Sequence, residues 1–123
     1  MVVLADDLIW ATRLDHLVGE AGGQTIRARD LPGLERALRD LPSAVVVDLT
    51  SRAYDGITAI RRSAEAGAAV AAACQHDDRE LRARARAAGA SLVQPYARLH
   101  ADGRAIIERW LTGLERRPEA KAR

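Results

Sequence analysis

Two stretches of this 123-residue sequence carry side chains that could do chemistry: Val2-Val3-Leu4-Ala5-Asp6-Asp7 and Ala44-Val45-Val46-Val47-Asp48-Leu49-Thr50. In each, an apolar run stops at a carboxylate. Three consecutive valines with no polar alternation read as a strand buried on both faces. A charge ending such a run suits the carboxyl end of a strand in an α/β sheet, where ligands bind. Asp48 alone would read as the cap of the following loop. The acid pair after the first run changes that reading. In a parallel sheet the ends of strands one and three can lie side by side, bringing Asp6, Asp7 and Asp48 to one edge. Three carboxylates in a small pocket repel, so the site needs a divalent cation or a held proton. Hard oxygen donors of this kind suit Mg²⁺, which keeps several waters. An Asp beside bound Mg²⁺ can act as a nucleophile toward phosphorus, giving an aspartyl phosphate.

The elements that must position these acids follow from periodicity. Residues 2–5 form strand one. Ala11, Leu14, Leu17, Val18 and Ala21 then share one helical face, and Gly22-Gly23 stops helix one. Residues 24–28 alternate as strand two, with Ile26 and Ala28 on one side. Asp30 caps helix two, with Pro32 in its first turn. Residues 44–47 are the central strand. Asp55-Gly56 opens helix three, carrying Ile57, Ile60 and Ala64, and Gly67 breaks it. Residues 68–74 are rich in Ala, which favours helix. They are assigned to strand four because one helix from 57 to 88 is implausibly long and Gly67 interrupts it. Asp77-Asp78 opens helix four, which holds Leu81, Ala85 and Ala88. Residues 91–93 form strand five, and residues 102–116 form helix five through Ile107, Trp110, Leu111 and Leu114. Five alternations of strand and helix imply a parallel sheet with helices on both faces.

Length indicates one domain, residues 1–116, followed by a charged C-terminal tail at 117–123. Aromatic residues make up only 3% of the chain and Phe is absent, so the core is built from Val, Ile, Leu and Ala. Net charge is +2, far short of a dedicated nucleic-acid binder, and no aromatic platform is interleaved with the arginines. Trp10 stands at the mouth of the acidic pocket as a candidate roof. His16, His76 and His100 show no metal-ligand spacing. One cysteine, the lack of a signal peptide and the lack of a membrane-length apolar run point to the cytoplasm.

Asp6-Asp7 after strand one, the Asp48-Leu49-Thr50 step after strand three, Gly56 opening helix three and Ala87-Ala88-Gly89-Ala90 ending helix four resemble the CheY-like receiver domains of bacterial response regulators. The resemblance covers residues 2 to 114. It implies a flavodoxin-like three-layer sandwich with a five-stranded parallel sheet in the order 2-1-3-4-5. It further implies Asp48 as phosphoacceptor, and Mg²⁺ held by Asp6, Asp7, Asp48 and the Thr50 carbonyl. Its implied partners are a histidine kinase or an output protein, while the composition and arginine pattern speak against a membrane and make nucleic acid the weaker reading. A homodimer through helices one and five, or through the helix-four face, is left open.

The departures from that pattern are as informative. Receivers place a Ser or Thr at the end of strand four, and counting back from Gly89 puts that position on Cys74, a weak donor. They place a Lys at the end of strand five, where this chain has Gln94, or Tyr96 if loop length is kept. Its only lysine, Lys121, lies in the tail. Losing a charge-assisted contact costs about 1.5–3 kcal/mol, against roughly 5.5 kcal/mol needed to swing a two-state switch. The expectation is thus an atypical receiver, with a pseudo-receiver as one form of it, that is not an enzyme and acts by protein–protein contact. Its partner surface is assigned to Arg82, Arg86, Tyr96 and Arg98. Since the chain ends just after helix five, no effector domain is expected. Two other readings compete. A Mg²⁺-dependent phosphotransferase of haloacid dehalogenase type needs Asp-x-Asp-x-Thr, whereas the second acid is replaced at Thr50. A nucleotide-binding Rossmann-like domain needs a glycine-rich turn where Asp6-Asp7 stands.

Overall fold

The computed structural model describes residues 1–76 and 78–115. The expected roles of Asp77 in opening helix four and of the tail at 117–123, with Lys121, lie outside the described residues. In chain order the elements are β1 (Val2–Leu4), α1 (Leu8–Glu20), β2 (Ile26–Ala28), α2 (Leu31–Leu38), β3 (Ala44–Asp48), α3 (Gly56–Glu65), β4 (Ala69–Cys74), α4 (Arg79–Ala88), β5 (Ala90–Pro95) and α5 (Tyr96–Glu115). The five strands are parallel and ordered β2-β1-β3-β4-β5, as the resemblance implies.

The central valines serve two cores. Val45 and Val47 face the side packed by α2, α3 and α4, while Ala44 and Val46 face the side packed by α1 and α5. Because successive strand residues alternate, Asp48 continues the Ala44–Val46 row onto the α1/α5 side. The alanine-rich segment is a strand, as assigned. Val70 and Ala72 join one core, Ala71 and Ala73 the other, and neighbours on both edges supply the hydrogen bonds that propensity alone would give to a helix.

Four helices begin the same way. Asp7, Asp30, Asp55 and Asp78 cap α1, α2, α3 and α4, each accepting from backbone amides of its first turn. Three elements differ from expectation by two residues or more at one end. β2 starts at Ile26, not 24, and Ile26 is 56% exposed although it shares a side of the strand with the buried Ala28. This edge strand is covered only at Ala28, because α2 is eight residues long. β5 extends from Ala90 to Pro95, and an edge position tolerates the missing amide of Pro95. α5 starts at Tyr96, not 102, because Tyr96 and Leu99 already form a buried i, i+3 pair. It bends at Asp102, whose φ/ψ of −134°/22° are not helical. The adjoining Gly103 lies so close to α1 that a Cβ there would sit 2.7 Å from Leu17. No described helix is long and apolar enough to cross a membrane.

Gly89 closes α4 with φ +123°, and a Cβ there would meet the Ala64 methyl at 2.6 Å. Strain and clash then act together. Gly89→Ala is expected to lower unfolding free energy by about 1–3 kcal/mol in urea at unchanged m-value. A change within about 0.5 kcal/mol, the usual range at an unconstrained surface position, would contradict this packing.

Candidate functional site

Asp48 ends β3 with no exposed surface, one of two fully buried polar side chains among the described residues. Its Oδ1 accepts three hydrogen bonds: from the Thr50 amide at 2.9 Å, the Thr50 hydroxyl at 2.8 Å and the Tyr96 hydroxyl at 3.0 Å. Its Oδ2 is buried with no hydrogen-bond partner among the described residues. In register beside Asp48 lies Ala73, whose methyl leaves room for a ring above the sheet. Tyr96, at the first turn of α5, fills that room. Trp10 from α1 stacks on Tyr96 with ring centroids 3.8 Å apart and planes 20° from parallel. The expected Trp10 roof is therefore a two-ring lid, and Tyr96 is the layer that touches the acid.

A second tyrosine ties the strand ends together. The Tyr54 hydroxyl lies 2.6 Å from the Asp48 carbonyl and 3.0 Å from the Leu4 carbonyl, so it bridges β1 and β3 where both leave the sheet. Burial is the main cause that pushes the Tyr54 and Tyr96 hydroxyls far above their ordinary pKa, and the nearby Asp48 carboxylate adds to it for both.

The other acids are placed differently from the expectation. Asp7 is exposed, and its Oδ1 accepts from the Ile9 and Trp10 amides at 2.8 and 3.2 Å as the cap of α1. Asp6 is half-buried and close enough to Tyr54 to raise its pKa. Among the described residues no three His, Cys, Asp or Glu side chains gather so as to hold a metal. The Mg²⁺ set of Asp6, Asp7, Asp48 and Thr50 is thus not assembled. Mg²⁺ demands near-octahedral oxygen geometry at about 2.0–2.1 Å, whereas Asp48 Oδ1 is surrounded by N–H and O–H donors and Asp7 is turned to helix amides. Asp48 Oδ2 is the oxygen left without a hydrogen-bond partner among the described residues, so the site is short of gathered ligands and not closed to a cation.

The positions flanking the acid also resolve. Cys74 is buried on the α3/α4 side, one residue past the level of Asp48. Gln94 pairs with Ala73, which separates it from Asp48. Of the two candidates for the missing lysine, Tyr96 is the one that reaches the carboxylate, as a neutral donor. Tyr96 is only 8% exposed, so its assignment to the partner surface is corrected. Arg86 and Arg98 are exposed, and Arg82 is half-buried with its guanidinium 3.5 Å from the Val93 carbonyl. Trp110 is core: its indole N–H donates to the Ser91 hydroxyl at 2.9 Å. Sequence reasoning missed Tyr54. The only available signal was a lone aromatic in a polar loop.

No protein-family model matches the chain, and no curated protein matches it. Solved structures do. A CheY-like response regulator receiver domain protein from Methanospirillum hungatei is 14% identical, covering 93% of this chain and 94% of its own, at TM-score 0.78. The signal receiver domain of a DNA-binding response regulator from Colwellia psychrerythraea is 19% identical over 90% and 96%, at 0.76. A response regulator from Burkholderia pseudomallei, solved with a phosphorylated aspartic acid, calcium ion and citrate, is 18% identical over 76% and 57%, at 0.67. The chain therefore has the receiver fold.

Tyr54 and Tyr96 are the only tyrosines, which makes their burial measurable. A folded-state pKa raised above the unfolded value of about 10 means that the unfolded chain loses its phenolic protons first. Stability is then intact below about pH 10 and falls as pH rises above it. Absorbance of tyrosinate is expected only together with alkaline unfolding, both phenols ionising in that one step. A tyrosinate signal from the still-folded protein would contradict the buried lid.

Proposed function

We propose that this chain is a signalling module of the response-regulator receiver type that works as a pseudo-receiver. Asp48, the expected phosphoacceptor, acts as an internal anchor, and output comes from contact with another protein. The supporting observation is the state of Asp48 itself, which has no exposed surface, three donors on one oxygen and a Tyr96–Trp10 lid over it. An in-line phosphodonor needs an open path to a carboxylate oxygen, and Asp48 has no exposed surface, with the Tyr96 hydroxyl on Oδ1 and Trp10 stacked on Tyr96. The neutral Tyr96 hydroxyl stands where a receiver's cation would meet a phosphoryl group, so the charge-assisted contact that reads phosphorylation has no counterpart here. The fold supports a role in signal transduction, since receivers are interaction modules. In this reading the surface that meets a kinase-derived or output protein includes Arg86 and Arg98, and the chain is a binding module, not an enzyme.

Treatment with acetyl phosphate and Mg²⁺ is expected to leave no acid-labile adduct on Asp48 by intact-protein mass measurement. Asp48→Asn is expected to bind the same cellular partner as the wild type with equal yield. A phosphoryl adduct on Asp48, or altered partner binding by an Asp48→Asn variant whose circular dichroism and unfolding midpoint match the wild type, would refute the pseudo-receiver reading.

A further inference from the structure

Between α1 and the first turns of α5 lies an open cleft of about 590 Å³, within the roughly 300–1,000 Å³ that accepts a small molecule. Its walls are apolar: Leu17 and Leu99, with the edges of the Trp10–Tyr96 stack. Its lining also carries polar groups, among which Arg13 is the permanent cation. The Arg13 guanidinium stands over the Trp10 ring at 5.0 Å, and His16 and His100 contribute imidazole nitrogens. The lining's single acid, Glu20, is already engaged by His16 Nε2 at 3.1 Å. An apolar trough edged by a fixed guanidinium, with its carboxylate satisfied, complements an apolar body bearing one negative group.

We propose that this cleft binds a small apolar anion, its hydrophobic part against Leu17, Leu99 and the ring edges and its anionic group at Arg13. The site stands whether or not Asp48 accepts a phosphoryl group. Its position links it to that acid all the same. Tyr96 is at once a wall of the cleft and the donor to Asp48 Oδ1 at 3.0 Å. A ligand that shifts the ring stack therefore acts on the carboxylate through one side chain.

The test uses 8-anilinonaphthalene-1-sulfonate as the anionic probe and the uncharged N-phenyl-1-naphthylamine as its control, titrated into the folded protein and followed by fluorescence. Saturable one-to-one binding of the sulfonate is expected, about ten-fold tighter than the neutral amine. Arg13→Gln, at an exposed position where the fold is not at risk, is expected to weaken the sulfonate about ten-fold and abolish that preference. Trp10→Ala, with folding checked by circular dichroism, is expected to weaken both probes. Arg62→Gln, on α3 across the sheet, should change neither. Absence of saturable binding, equal affinity for the two probes, or sulfonate affinity unaffected by Arg13→Gln would overturn the proposal.

Discussion

A carboxylate at the end of the innermost strand has to be reconciled with complete burial, and the surrounding structure is arranged to do so. An isolated buried charge is costly, and it persists only where donors replace the water it has lost. Asp48 finds them close by in sequence, at the Thr50 amide and hydroxyl, and far away, at the Tyr96 hydroxyl. The distant donor fixes the geometry of the C-terminal half. For Tyr96 to reach Asp48, β4 must present a small residue at that level, and Ala73 does. α5 must also start directly after Pro95, not seven residues later. Trp10 then closes over Tyr96 from α1, so the two helices on that side of the sheet meet above the acid.

In the reading proposed above, the same arrangement is what would separate this molecule from a working phosphoryl switch of the same fold. A switch needs a reachable acceptor and a group that binds more tightly in one state than in the other. Here one acceptor oxygen is saturated within the chain, and the acids expected to hold a cation have structural occupations. Asp7 caps α1, and Asp6 stands beside a tyrosine that bridges two strand ends. A receiver fold therefore does not by itself supply the chemistry, which resides in side chains placed on the fold.

Much of the architecture could be read from the sequence because it is written in periodicity. Strand-helix alternation and the unbroken valines of β3 specify a parallel sheet, and the Gly67 break rescues β4 from its own helix propensity. Gly89 marks the end of α4 through a φ that only glycine adopts easily. The site was only half legible, for physical reasons. Asp7 carries the signature of a helix cap, an acid directly before an apolar helical run, and the same residue type in the same place serves metal binding equally well. Tyr54 acts as a single side chain in a loop, where no period exists to betray it. The sequence alone puts Tyr96 on a surface because its direction depends on where α5 begins, and Pro95 disguises a helix start that immediately follows a strand.

The most direct measurement of the closed pocket is the Tyr96 hydroxyl proton, observed by NMR in the folded protein. The account predicts a resonance in slow exchange with solvent, lost in Tyr96→Phe and moved in Asp48→Asn. A hydroxyl proton that exchanges freely with water, or one indifferent to the substitution at Asp48, would mean that the acid lies open and the lid is not there.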